Sequence, residues 1–162
     1  MTPTPKPQHL KTSISHATWL NYRIGRGEQG VLTFEPYKSS LLPLWRFRTP
    51  QIAQKSAAEL WERFKEFDQQ DDFVGMDMAR KFIQMGMTRA KRYANHAGGR
   101  KYKKGTRDEL PKSGVHKDKK EKEEASNVFR AYWERCKSHE GYQSKKNDFL
   151  KEQAEAKKTG SG

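Results

Sequence analysis

Apolar residues recur at helical spacing immediately after Thr49-Pro50. In "QIAQKSAAELWERFKEFDQQ", Ile52, Leu60, Trp61, Phe64 and Phe67 fall on one face of a helix of about five turns. Thr as N-cap followed by Pro at the first helical position is a typical helix start. We therefore predict an amphipathic helix here, with its apolar face in the core.

A second and longer helix is predicted from Phe73 to about Asn95. Asp71 or Asp72 can cap its start, and Gly98-Gly99 can end it because glycine tolerates the left-handed conformation of a helix C-cap. Its inward stripe comprises Val74, Met78, Phe82 and Met85, flanked by Ile83 and Ala90, and the residues of another side are polar or basic: Lys81, Gln84, Thr88, Lys91, Arg92 and Asn95.

Helical spacing returns near Asp118 in "DKKEKEEASNVFRAYWERCKSH", and a last, weaker helix is predicted from Tyr142 to Ala156. Between the helix that ends near Asn95 and the one that begins near Asp118, "RKYKKGTRDELPKSGVHKDKK" lacks periodicity and is rich in charge and in helix breakers. We expect this stretch to be a loop.

The first third of the chain has a different pattern. "WLNYRI", "GVLTFEPY" and "LLPLWRFRT" are short segments rich in aromatic and branched residues, with Gly25, Gly27 and Gly30 between the first two. Such segments favour strands, and Pro36 and Pro43 favour bends or edge positions. The predicted fold class is therefore α+β, with a small antiparallel sheet or hairpin followed by three to four helices.

Composition divides the chain into three parts. The Pro-rich stretch "MTPTPKPQHLKTSISHA", residues 1–17, is expected to be a flexible N-terminal arm. Residues 18–142 form a single predicted α+β domain that contains a basic loop at about 98–117. Residues 143–162 are expected to form a weak helix and a disordered tail.

Positive charge is concentrated in one quarter of the chain. The net charge is +13, and residues 80–120 alone carry fourteen basic and three acidic residues, whereas both flanking regions are nearly neutral. Such a block creates a local positive field that attracts polyanions. Cys136 is the single cysteine, which excludes an intrachain disulfide and a multi-thiolate zinc site, and neither a metal nor a cofactor is expected.

No apolar run reaches the roughly 18 residues that a membrane span requires. The N-terminus "MTPTPKPQHLK" also lacks the apolar stretch of a signal peptide. We expect a soluble intracellular protein of the cytoplasm or nucleus.

The densest basic stretch is "RAKRYANHAGGRKYKKG", residues 89–105, which holds seven Lys or Arg and no acidic residue. Tyr93 and Tyr102 have basic neighbours on both sides, a pattern that offers stacking surfaces beside phosphate donors. For Tyr93, packing against the core with its hydroxyl at the surface is an equal alternative. The candidate nucleic-acid-binding residues are Arg89, Lys91, Arg92, Tyr93, Arg100, Lys101, Tyr102, Lys103, Lys104 and Arg107.

Signs of catalysis are weaker. "GRGEQG" matches the letters of the G-x-G-x-x-G dinucleotide motif, but a strand-like segment follows where that motif needs a helix, so we interpret it as a hairpin connection. His96, Asn95 and Asp72 are the candidate catalytic residues. Helix capping explains Asp72 without chemistry, and His96 has no evident nucleophile or metal-ligand partner in the sequence.

Three functional hypotheses follow. The first is a non-catalytic protein that binds the phosphate backbone of DNA or RNA, largely without sequence specificity. The second is an interaction module whose basic loop orders on an acidic protein partner. The third is a small enzyme that acts on a phosphorylated or nucleic-acid substrate.

Two blocks carry a resemblance to a known family. "GRGEQGVLTFEPYKSSLLPLWRFRTP" and "DDFVGMDMARKFIQMGMTRAKRYANHAGGRKY" resemble domain of unknown function four-three-eight-five, a family of bacteria, bacterial viruses and some eukaryotes. The resemblance extends from about Trp19 to about Tyr142. It implies that the two blocks belong to one domain, and it implies no activity, cofactor or catalytic residue.

Overall fold

The described part of the chain is helical. The computed structural model describes residues 9–25, 30–96 and 118–159. Its α-helices are α1 (His16–Leu20), α2 (Tyr37–Leu41), α3 (Pro50–Gln69), α4 (Phe73–Asn95), α5 (Lys119–Ser138) and α6 (Glu140–Lys158), and short 3-10 helices cover Leu10–Ser13 and Leu42–Leu44.

The two longest predicted helices are confirmed, together with their start signals. The Thr49 hydroxyl accepts a hydrogen bond from the Ile52 N–H at 3.2 Å, with Pro50 as the first residue of α3. The Asp72 carboxylate accepts from the Gly75 N–H at 3.1 Å and so caps α4. Each cap satisfies a backbone donor that the first helical turn would otherwise leave unpaired.

Helix α4 is the centre of the fold. It packs against α3 and α5, which also pack against each other. Ser126 and Phe129 of α5 meet Met87 and Gly86 of α4, as in an antiparallel pair. The predicted inward stripe of α4 is buried as expected. Lys81 differs from the prediction, because it is only 5 % exposed although the pattern assigns it to the polar face.

Glycines on α4 allow this close packing. A Cβ at Gly86 would lie 2.6 Å from the Phe129 ring, and a Cβ at Gly75 would lie 2.4 Å from the Phe67 ring. Both distances are shorter than van der Waals contact. The two rings therefore rest directly on the α4 backbone, which brings α3 and α5 close to α4.

The predicted sheet or hairpin is wrong, and so is the α+β class. Within residues 9–25, 30–96 and 118–159 there is no strand. "WLNYRI" begins in α1 and ends in a turn, "GVLTFEPY" forms turns that lead into α2, and "LLPLWRFRT" contains the second 3-10 helix and an irregular stretch. Residues 26–29 of "GRGEQG" lie outside the described residues.

Side chains replace the hydrogen bonds that a sheet would have made. The Gln153 amide donates to the Leu20 and Tyr22 carbonyls at 2.7 Å each, and the Ser56 hydroxyl donates to the Leu44 carbonyl at 2.6 Å. Buried backbone groups need a partner, but the partner need not be another strand. The aromatic residues of this region accordingly pack one by one onto the helices, without the alternation of a sheet.

Within the described residues, both the predicted N-terminal arm and the predicted C-terminal tail contain helical structure. Leu10 is buried in the core, and the Lys11 ammonium donates to the Asp71 carbonyl at 2.8 Å. At the other end, α6 buries Phe149. The predicted division into arm, domain and tail stays a prediction, while Leu10 and Phe149 join the same core as the central helices.

We predict that Gly86→Ala lowers the free energy of unfolding. The added methyl group must displace the Phe129 ring from the α4 backbone, and overpacking of this kind costs about 1–3 kcal/mol, against a helix-propensity gain of about 1 kcal/mol at most. Urea denaturation measures the change. The matched control is Gly30→Ala, because a Cβ at Gly30 would meet no atom within 4 Å. Equal unfolding midpoints for the two variants would contradict the prediction.

Candidate functional site

Two fully buried carboxylates, Asp72 at the N-cap of α4 and Asp77 within α4, accept hydrogen bonds from the surrounding segments. Asp72 accepts hydrogen bonds from the Trp19 indole N–H at 2.9 Å and from the Tyr37 hydroxyl at 2.7 Å, besides its capping bond to α4. Burial raises the pKa of the Asp72 carboxyl above its ordinary value, while the bonds from Trp19 and Tyr37 lower it. Asp72 thus anchors α1 and α2 to the start of α4.

Asp77 has a second set of donors. The Tyr22 and Tyr142 hydroxyls each donate to its carboxylate at 2.6 Å, and the Arg80 Nε donates at 2.8 Å. Burial, followed by the charge of Asp77, raises the pKa of both tyrosines, so the two hydroxyls stay protonated and donate. Burial lowers the pKa of Arg80, but Asp77 outweighs it and raises that pKa above its ordinary value.

An open cleft of about 490 Å³ lies beside Arg80, between α4, α5 and α6. The Arg80 Nη1 donates to the Gln84 side-chain oxygen at 2.8 Å, which orders both side chains at the edge of the cleft. The residues that line the cleft are mostly basic or apolar: Ile24, Gly25, Arg80, Lys81, Gln84, Trp133, Lys137, Tyr142 and Lys146. We call this feature the basic cleft.

The other end of α4 carries cations that alternate with aromatic rings. The Arg89 guanidinium lies 5.0 Å from the centre of the Trp45 ring, and the Lys122 ammonium lies 5.6 Å from the centre of the Tyr93 ring. Tyr93 also contacts Phe47, with ring centres 6.2 Å apart. We call this end of α4, on all its sides and with the segment beside it, the basic end, and its residues are Trp45, Arg46, Phe47, Arg48, Arg89, Lys91, Arg92, Tyr93 and Lys122.

The predicted binding residues are brought together only in part. Lys91, Arg92 and Tyr93 are exposed, and Arg89 is half-buried. Lys91 and Tyr93 are two positions apart, about 200° around a helix, so they project to opposite sides of α4. Arg100, Lys101, Tyr102, Lys103, Lys104 and Arg107 lie outside the described residues.

The candidate catalytic residues do not form one site. Asp72 caps the start of α4 and His96 follows its end, which separates them by about 36 Å at 1.5 Å per residue. His96 is 7 % exposed, and Asn95 beside it is half-buried. Cys136 offers no nucleophile either, because burial raises the pKa of its thiol to about 12.

Several residues of the basic end and of the basic cleft were not predicted from the sequence. Arg46 and Arg48 neighbour Trp45 and Phe47 in the chain, and the Lys122 ammonium of α5 donates to the Arg48 carbonyl at 2.5 Å. Lys137 and Lys146 reach the basic cleft from α5 and α6. The sequences around Lys122, Lys137 and Lys146 are nearly neutral overall, so charge density along the chain could not single out these three lysines. Only the packing of the helices brings them together.

Two kinds of feature are absent from the described residues, a metal-binding cluster and a membrane span. In the ranges 9–25, 30–96 and 118–159, no group of three or more His, Cys, Asp or Glu side chains could hold a metal ion. Within the same ranges, none of the helices combines the length and the apolar character that crossing a membrane requires.

We predict that Tyr22→Phe destabilises the protein by about 1–3 kcal/mol, because the buried Asp77 carboxylate loses a donor and gains no water in exchange. Urea denaturation measures the loss. Tyr132→Phe is the control, since the Tyr132 hydroxyl accepts from Gln54 at an exposed position, 3.0 Å away. If both variants unfold at the same urea concentration, the Tyr22 hydrogen bond does not stabilise the fold.

Comparisons with known proteins agree with the resemblance of the two sequence blocks. No curated protein and no solved structure matches the chain. A family model described as "Domain of unknown function (DUF4385)" matches residues 8–152, which is most of the chain and extends from before α1 into α6. The chain therefore belongs to the DUF4385 family.

Proposed function

We propose that the protein binds nucleic acid without catalysis, through the phosphate backbone, and that the basic end is the contact surface. The observation that carries the proposal is the alternation of cations and aromatic rings around Tyr93. The adjoining segment 97–117 adds further positive charge in the sequence, including Arg100, Lys101 and Arg107.

Uncompensated charge supports the proposal. Arg46, Arg48, Lys91, Arg92 and Lys122 have no carboxylate within ion-pair distance among the residues of the described ranges. Some cations elsewhere on the bundle are paired, for example Lys65 with Glu62 at 2.8 Å and Lys145 with Asp68 at 2.5 Å. Cations that lack an internal partner attract phosphates, and they release condensed counterions when they bind them.

Exposed aromatic surface favours nucleic acid over an acidic protein partner. Tyr93 is 38 % exposed, although Phe47 lies on one side of it and the Lys122 ammonium on another. A ring that is fixed in place beside cations can stack on an unpaired base while the cations hold the flanking phosphates. An acidic peptide would use the charges and leave the ring unused.

The charge contribution is tested with Lys91→Gln/Arg92→Gln. Both side chains are exposed, and neither forms an ion pair within the described ranges, so the double variant should fold normally and bind more weakly. Fluorescence anisotropy with labelled single and double strands over a salt series is the measurement. The slope of log affinity against log salt should fall by roughly 0.7–0.9 for each phosphate contact that is lost.

The matched control is Lys151→Gln/Lys157→Gln, which removes the same charge from exposed positions on α6. Its salt slope should equal that of the unmodified protein. The proposal fails if the unmodified protein binds no nucleic acid at low salt, or if both double variants lose affinity equally. Turnover of a nucleic-acid substrate would instead support an enzyme, and competition by an acidic protein alone would support an interaction module.

The stacking contribution is tested with Tyr93→Leu. Stacking of one base on an aromatic ring contributes about 1–3 kcal/mol, so single-strand affinity should fall by roughly five- to a hundredfold. Duplex affinity should change little, because paired bases are not available to stack. Tyr132→Phe serves as a control for aromatic change elsewhere on the bundle. An equal loss for single and double strands would exclude stacking as the role of Tyr93.

A further inference from the structure

The basic cleft has the chemistry of an anion site that is separate from the basic end. Its lining includes the hydrogen-bond donors Arg80, Gln84, Lys137 and Lys146. No carboxylate is among the described residues that line it. Asp77 lies behind Arg80, fully buried, and its oxygens already accept from Tyr22, Tyr142 and Arg80.

Arg80 is oriented before any ligand arrives. Asp77 accepts from its Nε, Gln84 accepts from its Nη1, and its side chain is only 12 % exposed. A guanidinium has five N–H groups; Asp77 and Gln84 each accept from one, and Tyr142 is a third hydrogen-bond partner, which leaves two donors for a ligand. A planar donor group held in this way suits a phosphate, because no side-chain freedom remains to be lost on binding.

Two lysines supply further charge from other helices. Lys146 of α6 forms no ion pair within the described part of the chain. Lys137 of α5 lies over the Trp133 ring at 3.6 Å, and Glu134 is 3.6 Å from its ammonium. The cations of three helices therefore meet at one concave surface, where the low-dielectric walls strengthen their attraction for an anion.

The size of the cleft indicates more than a lone phosphate. Its volume of about 490 Å³ lies within the roughly 300–1,000 Å³ of small-molecule sites. Ile24 and Trp133 add apolar and aromatic wall beside the donors. A ligand that joins a phosphate to a ring system would match both parts of this lining.

We propose that the basic cleft binds the phosphate monoester of a nucleotide-sized ligand. Arg80, Lys137, Lys146 and Gln84 would hold the phosphate, and Ile24 and Trp133 would contact the attached group. The phosphate can belong to a free mononucleotide or to the 5′ end of a strand. The site does not depend on the basic end, because Arg80 and Arg92 are about 18 Å apart along α4.

The test is a titration of the full chain with adenosine monophosphate, followed by tryptophan fluorescence. Binding should change the emission, and Trp133→Phe should remove most of that change. Lys146→Gln should weaken binding by about tenfold, the equivalent of one hydrogen bond to a charged group. Lys151→Gln is the matched control, because it removes the same charge from α6 at an exposed position outside the cleft.

Adenosine, inorganic phosphate and single strands with and without a 5′ phosphate distinguish the alternatives. Binding of the monophosphate but not of adenosine supports a free nucleotide as the ligand. Preference for the 5′-phosphorylated strand alone, lost in Lys146→Gln, supports a strand end. The proposal is overturned if none of the phosphates binds, if adenosine binds as well as its monophosphate, or if Lys146→Gln and Lys151→Gln behave alike.

The same variants separate this proposal from the proposed function. Lys91→Gln/Arg92→Gln should leave the affinity for adenosine monophosphate unchanged. Lys146→Gln should leave the affinity for unphosphorylated strands unchanged. Loss of both affinities in both variants would contradict the existence of two separate sites.

Discussion

The hydrogen bonds to the buried carboxylate of Asp77 connect parts of the chain that are far apart in sequence. Tyr22 precedes Asp77 by 55 residues and Tyr142 follows it by 65, yet both hydroxyls donate to the same side chain. Burying an ionised carboxylate is costly unless donors surround it, so the native arrangement requires these partners together with Arg80. Packing alone would tolerate small displacements of these segments, whereas short hydrogen bonds do not.

Asp72, the N-cap of α4, is a second buried carboxylate that accepts hydrogen bonds from distant segments. Trp19 and Tyr37 donate to it from α1 and from α2, and the same carboxylate caps α4. The N-terminal third is thus attached through polar tips of aromatic side chains whose rings lie in the core. This attachment explains how a segment without sheet or long helix remains ordered against the bundle.

The same constraint shapes the basic cleft and the basic end. Because Asp77 holds Arg80 from behind, the remaining guanidinium donors stay at the edge of the basic cleft beside Gln84. At the other end of α4, aromatic rings lie beside the cations: Trp45 beside Arg89 and Tyr93 beside Lys122. One helix therefore presents positive charge in two different settings, one concave and rigid, the other exposed and interleaved with rings.

The sequence by itself determined the central helices, because caps and the period of apolar residues are local properties. Thr49-Pro50 and Asp72 act within one turn, and the stripe of α4 needs only its own spacing. The excess of positive charge in residues 80–120 also follows from the sequence alone, because it is a count of residues. The tertiary structure decided the conformation of the aromatic segments that resemble strands in sequence. They attach to the helices because Asp72, Asp77 and Gln153 form hydrogen bonds with their polar groups. The tertiary structure also decided which cations share a surface, since Lys122, Lys137 and Lys146 reach α4 only through helix packing, which no local pattern encodes.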